Sequence, residues 1–164
     1  ISKNFNRFEF KKSLNGVKNV NWPARSQFIK KGKLANKIDK AYIIILDGAH
    51  NVSGAKALSK VLSSIDTKWQ LIFGYLKTRK PADFLNELKS ITQRIITTEI
   101  TGQENSFSSK ELFDIIQKKG MSVNKSKNLY EAIEIASQNK LNVCICGSLY
   151  LAGEFLKNNQ TIPD

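Results

Sequence analysis

The sequence predicts an α/β domain with a doubly wound, mostly parallel sheet and helices on both faces. Two observations predict it. Four short apolar runs rich in β-formers occur at residues 42–46, 69–73, 94–98 and 141–146, and helical patterns fill the stretches between and after them. Continuous apolar runs suit strands buried on both faces. Strands alternating with helical patterns of roughly 10–15 residues need crossover connections, which cover a parallel sheet on both sides.

In chain order, the segment before Pro23 is mixed and weakly amphipathic. Phe8, Leu14 and Val17 share a helical face that Asn15-Gly16 interrupts, and the segment reads as a connector. After the first strand, Ala55, Leu58, Leu62 and Ile65 fall on one helical face; after the second, Phe84, Leu85, Leu88 and Ile91 do so. Leu112, Ile115 and Ile116 mark a third helix that Lys118, Lys119 and Gly120 close. Leu129, Ala132, Ile133 and Ala136 mark a fourth, and Leu149, Ala152, Phe155 and Leu156 a fifth. The expected organisation is a connector over residues 1–26, one domain over 27–158 and a polar tail over 159–164.

At 164 residues a single domain buries roughly 70% of its unfolded surface and needs no staples. Cys144 and Cys146 alternate along a strand, a geometry that disfavours a bridge between them, and they read as small buried hydrophobes in a reducing compartment. No window approaches the roughly 20 apolar residues of a membrane span, and the Lys-rich start lacks a signal-peptide core. The expectation is a cytoplasmic monomer with no membrane partner. Of the net charge of +12, residues 1–40 carry +9, with eleven Lys or Arg against Glu9 and Asp39. This arm lacks the interleaved aromatics of a nucleic-acid platform, so no nucleic-acid partner is expected. It fits a solvated lysine surface or a general attraction for polyanions.

Ligands of such sheets bind outside the carboxyl ends of the strands. Residues 47–51, 74–79, 98–102 and 147–148 should therefore share one rim. Asp47 there is an acceptor suited to ribose hydroxyls or an ammonium group. Gly48 allows a close approach, and Asn51 or Ser53 can cap the next helix, whose first N–H groups favour anions. His50, the only histidine, suits either a phosphate or carboxylate donor or a loop histidine in a structural hydrogen bond. A single histidine without CxxC or a carboxylate cluster lacks metal-ligand spacing. Neither GxxxxGK[ST] nor GxGxxG occurs, so if ATP is handled, another domain must hold its phosphates.

Four motifs occur in order: WPAR at residues 22–25, LDGAHN at 46–51, FGYLKTRK at 73–80 and CGSLYLAGEF at 146–155. Together they resemble the C-terminal domain of folylpolyglutamate synthase/dihydrofolate synthase, a Rossmann-like domain of the Mur ligase superfamily. The resemblance implies an ATP-dependent amide ligase. A separate N-terminal ATPase domain of the same polypeptide holds most of the ATP and Mg2+ and converts a folate or pteroate carboxylate to an acyl phosphate. L-glutamate then attacks it. The chain alone, lacking a phosphate cradle, is expected to be inactive.

The resemblance carries over to individual residues. Arg25 matches the arginine that reaches ATP phosphates, and Asp47 the aspartate that holds the ribose. His50 matches the histidine at the reaction centre, catalytic and in contact with glutamate. Ser148 matches a serine near the glutamate carboxylate, and Lys77, on the rim, is assigned to the same site. Two positions and one short stretch depart from the family. Ala24 stands where glycine is usual, which matters if the backbone there has positive φ. Val52 stands where proline is usual. Thr78-Arg79-Lys80 replaces a stretch that commonly carries an acid, which should alter the loop's electrostatics. Two rival readings are a Mur-type ligase domain for peptidoglycan precursors and a non-catalytic nucleotide- or RNA-binding module.

Overall fold

The computed structural model describes residues 23–65 and 68–160. Six strands form one sheet: β1 (Gln27–Phe28), β2 (Ile44–Leu46), β3 (Trp69–Phe73), β4 (Thr92–Thr97), β5 (Val123–Lys125) and β6 (Asn142–Cys146), in the order β1-β2-β6-β3-β4-β5. Among the described residues β1 pairs antiparallel with β2, and β2, β6, β3, β4 and β5 run parallel. Each residue of β2, β3 and β6 is buried, as continuous apolar runs require.

The helices are α1 (Val52–Ser63), α2 (Pro81–Asn86), α3 (Ser109–Gln117), α4 (Leu129–Ser137) and α5 (Leu149–Asn159). Local chemistry starts each of them. Asn51 accepts from Gly54 N–H, Ser108 and Glu111 form a capping box, Asn128 and Ser148 cap α4 and α5, and Pro81 opens α2. The faces of α1, α2 and α3 pack with Trp69, Leu71, Phe73 and Ile95 in one core. Those of α4 and α5 pack with Ile72, Ile96 and Val143 in the other. The fold is therefore doubly wound, as the sequence predicts.

Several boundaries differ from the sequence reading. The second helical pattern is split: α2 stops at Asn86 and a 3-10 turn spans Lys89–Ile91, though Phe84, Leu85 and Leu88 are all buried. β1 and β5 are edge strands with no buried residue, so neither produces an apolar run. Asn159, assigned from sequence to the polar tail, is the fully buried last residue of α5. Its side-chain oxygen accepts from the N–H groups of Leu34 and Ala35, both at 2.9 Å, and its amide donates to Lys31 O at 3.0 Å. The helix thus fastens the basic arm. Leu34, Ala35 and Ile38 of that arm are buried, while Lys30, Lys31, Lys33, Lys37 and Lys40 remain exposed. The helical face of Phe8, Leu14 and Val17, most of the connector, and residues 161–164 lie outside the described residues.

The two cysteines are free and buried on β6. Donation of its own hydrogen bond to Cys146, together with burial, pushes the Cys144 thiol up, which keeps it protonated and inert. No helix among the described residues is long and apolar enough to cross a membrane.

Candidate functional site

The carboxyl ends of β2, β3 and β6 meet at one edge, and the chain leaves them toward opposite faces. From β2 and β3 it enters α1 and α2 on one face; from β6 it enters α5 on the other. A parallel sheet opens a crevice wherever neighbouring connections diverge in this way. Here β6 has such a neighbour on each side, and two clefts result.

The first, about 360 Å³, lies beside β2 and is lined by Arg25, Asp47, His50, Asn51 and the flank of α1. The second, about 140 Å³, lies beside β3 and is lined by His50, Tyr75, Arg79, Ser148 and Tyr150. His50 borders both. The structure therefore brings Arg25, Asp47, His50 and Ser148 together.

Asp47 follows β2 directly and is almost fully buried, at 8% exposure. Its Oδ1 accepts from Ala49 N–H at 2.7 Å, and its Oδ2 accepts from Ser26 N–H at 2.7 Å and from Ser26 Oγ at 3.1 Å. A carboxylate has about four acceptor positions, so one on Oδ1 remains. Gly48 lets the Leu149 side chain close over the loop: a Cβ would lie 2.2 Å from Leu149 Cδ2 and would push that exposed side chain aside. Its N–H donates to Ala24 O at 2.6 Å. Ala24 itself has φ +57, so alanine does occupy a left-handed position where glycine is easier. Val52 is the first residue of α1, and Asn51 caps the helix without help from proline.

His50 is held from two directions. Nδ1 lies 2.9 Å from Gly48 O, and since a carbonyl only accepts, Nδ1 carries the proton. Nε2 is left for a ligand. The His50 carbonyl accepts from Tyr75 Oη at 2.9 Å. Tyr75 is fixed by stacking on Phe73, with ring centroids 5.3 Å apart. Burial pushes its phenol up to about 12 against the opposing pull of Arg79, so it stays a donor at neutral pH.

Ser148 is buried at the start of α5, where its oxygen accepts from Tyr150 N–H at 3.1 Å and its O–H remains able to donate. Lys77 sits on the same edge but outside both clefts. Its Nζ pairs with Glu111 Oε1 at 3.0 Å and lies over the Phe107 ring, in a third depression lined by Glu99, Thr101 and Glu104. The Glu111 carboxyl is lowered to about 2, first by the Ser108 backbone N–H and then by Lys77. The cation beside His50 and Ser148 is instead Arg79, two residues on. Sequence reasoning assigned neither Arg79 nor Tyr75 to the site; their signal was their place on the predicted rim. Among the described residues no group of three or more His, Cys, Asp or Glu could hold a metal.

Residues 30–158 match the family model described as the C-terminal domain of dihydrofolate synthetase. A probable dihydrofolate synthetase of Schizosaccharomyces pombe is 25% identical over 157 residues, covering 87% of this chain and 36% of that protein. Among solved structures, Mycobacterium tuberculosis folylpolyglutamate synthase complexed with ADP and AMPPCP superposes with a TM-score of 0.77 at 20% identity, over 91% of this chain and 35% of that one. The bifunctional folylpolyglutamate synthase/dihydrofolate synthase of Yersinia pestis, complexed with AMPPNP and Mn ion, gives 0.71 at 20% identity, over 87% and 32%. The chain thus spans about a third of the length of these relatives. By its fold and by the family match over most of its length, it belongs to the family of dihydrofolate synthetase C-terminal domains.

Proposed function

We propose that the chain is the glutamate-binding domain of an ATP-dependent ligase that adds L-glutamate to dihydropteroate or tetrahydrofolate. One observation carries this reading: His50, with Leu149, borders both a cleft with Arg25 and Asp47 and a cleft with Arg79 and Ser148, and is the polar side chain common to the two. A ligase that activates a carboxylate with ATP and then couples it to an amino acid needs a nucleotide side and an amino-acid side that share one reacting point.

The residues present fit a partial nucleotide contact. Arg25 is an exposed guanidinium without an ion pair among the described residues, and its forked donors match phosphate oxygens. Asp47 has one acceptor position for a ribose hydroxyl. They do not fit a magnesium ion, which is assigned with the phosphate cradle to an ATPase domain elsewhere in the polypeptide. ATP, when bound, supplies the phosphoryl group that turns the substrate carboxylate into an acyl phosphate.

On the other side, Arg79 pairs with a glutamate carboxylate and Ser148 Oγ donates to it. His50 Nε2, which holds a lone pair while Nδ1 carries the proton, accepts a proton from the glutamate ammonium and frees the nitrogen to attack the acyl carbon, whose C–O bond to phosphate then breaks with phosphate leaving. Once protonated, it donates to the oxygen on which charge develops. Lys77, already paired, contributes charge to the rim without touching glutamate.

The test is product formation by the complete polypeptide with ATP and L-glutamate. The reading predicts ADP release and amide formation with dihydropteroate or tetrahydrofolate and none with UDP-muramyl substrates. Turnover of UDP-muramyl substrates alone, or salt-sensitive RNA binding without turnover of either, would overturn it.

A further inference from the structure

We propose that Ser26 is a positioning residue: it clamps the loop that presents Arg25 to the nucleotide-side cleft, with Asp47 as its anchor. The proposal rests on the reading of Arg25 as a phosphate ligand.

Arg25 stands between two residues with positive φ, Ala24 at +57 and Ser26 at +44. Side-chain-bearing residues adopt this region only when their surroundings hold them there. The holding contacts are all on one side. Ser26 gives both its N–H and its hydroxyl to Asp47 Oδ2, at 2.7 and 3.1 Å, and Ala24 O accepts from Gly48 N–H at 2.6 Å. Ala24 N–H donates to Gln27 Oε1 at 3.0 Å, which closes the loop on itself. The anchor is rigid in turn, because Asp47 is nearly buried and its other oxygen is tied to Ala49 N–H.

Arg25 is exposed and has no ion pair among the described residues. Among the described residues, what fixes Arg25 is therefore the backbone on either side of it, which sets where its side chain starts and the direction in which it leaves the loop. The clamp joins residues 24–26 to the loop that carries His50, so the backbone that presents Arg25 and the loop of the histidine keep a fixed relation. A flexible arginine on an open loop would lose that relation and with it much of its affinity for phosphate.

The experiment compares variants of the complete polypeptide in steady-state kinetics, with ATP and glutamate varied separately. Ser26→Pro removes the N–H donor and holds φ near −65°. It should raise KM for ATP about tenfold or more, the scale of losing a charged hydrogen bond, with KM for glutamate unchanged. Ser26→Gly keeps the N–H and tolerates positive φ, so it should restore most of the affinity. Because the clamp acts through Arg25, Ser26→Pro combined with Arg25→Ala should be no worse than Arg25→Ala alone. If Ser26→Pro does not accumulate as folded protein, Ser26→Val, which resists positive φ, takes its place. Multiplicative losses in the double variant, or a lowered melting temperature with unchanged KM, would overturn the clamp. Wild-type KM for ATP in Arg25→Ala would instead remove the phosphate role of Arg25, and the clamp's purpose with it.

Discussion

The Tyr75 hydroxyl donates to the backbone carbonyl of His50 at 2.9 Å, so an aromatic residue just past one strand holds the loop that follows another. Tyr75→Phe keeps the stack on Phe73 and leaves that carbonyl without its donor. The expected cost is about 1 kcal/mol of stability and a several-fold fall in kcat. The linkage has a definite sign. Folding favours the neutral phenol, so its contribution is complete below its ordinary value of 10.0 and is lost as pH rises toward about 12. Denaturant unfolding between pH 9 and 12 should show this alkaline loss in the parent and not in Tyr75→Phe.

Arg79 and Lys77 should separate cleanly in kinetics. Arg79→Ala removes the cation from the His50–Ser148 cleft and should raise KM for glutamate about tenfold or more, with KM for ATP little changed. Lys77→Ala should leave both constants near wild type. Its effect belongs to acid stability. Glu111, held at about 2 against an ordinary 4.5, contributes stability that is present above 4.5 and lost as pH falls toward 2. Removing Lys77 should weaken but not abolish that acid limb, because the Ser108 backbone is the larger cause. Equal effects of the two substitutions on KM for glutamate would contradict the assignment.

At Ala24 the backbone decides. Ala24→Gly relieves about 1–2 kcal/mol of left-handed strain, against about 0.4–1 kcal/mol of extra unfolded-state entropy and about 0.8 kcal/mol for the buried methyl. The two sides nearly cancel, and the variant should lie within about 1 kcal/mol of the parent. Ala24→Val adds a β-branched side chain at positive φ in a buried position and should cost more than about 2 kcal/mol. Chemical denaturation of both variants checks the pair, and a tolerated valine would contradict the left-handed geometry.

Much of the fold was legible because its central strands carry their own signal. β3 coincides with the expected run 69–73, since a strand buried on both faces is apolar along its length. The edge strands were silent: Gln27–Phe28 and Val123–Lys125 are short and without a buried residue, yet β1 is what brings the Arg25 loop to the rim. Asn159 misleads because its composition is polar while its partners lie up to 128 positions away. At the site, the strand-end rule placed Asp47, His50 and Ser148 on one edge, and the glycine usual at position 24 hinted at the positive φ found there. The two hydrogen bonds from Ser26 to Asp47 and the turn of Lys77 toward Glu111 depend on side-chain directions across the fold, which no local pattern encodes, and the proton on His50 Nδ1 depends on where the Gly48 carbonyl of its own loop points.

The most direct test of the account is His50→Ala in the complete polypeptide, with kcat, both KM values and the melting temperature measured on the same preparation. A histidine whose Nε2 acts between the two clefts should lose about 10²–10³ in kcat, the scale of removing a group that stabilises developing charge. The melting temperature should change little, because the residue is outside the buried core and the side-chain bond to Gly48 O lies within its own loop. Wild-type kcat and glutamate KM together with earlier melting would show that His50 is a structural loop histidine, and the two-cleft account would fail.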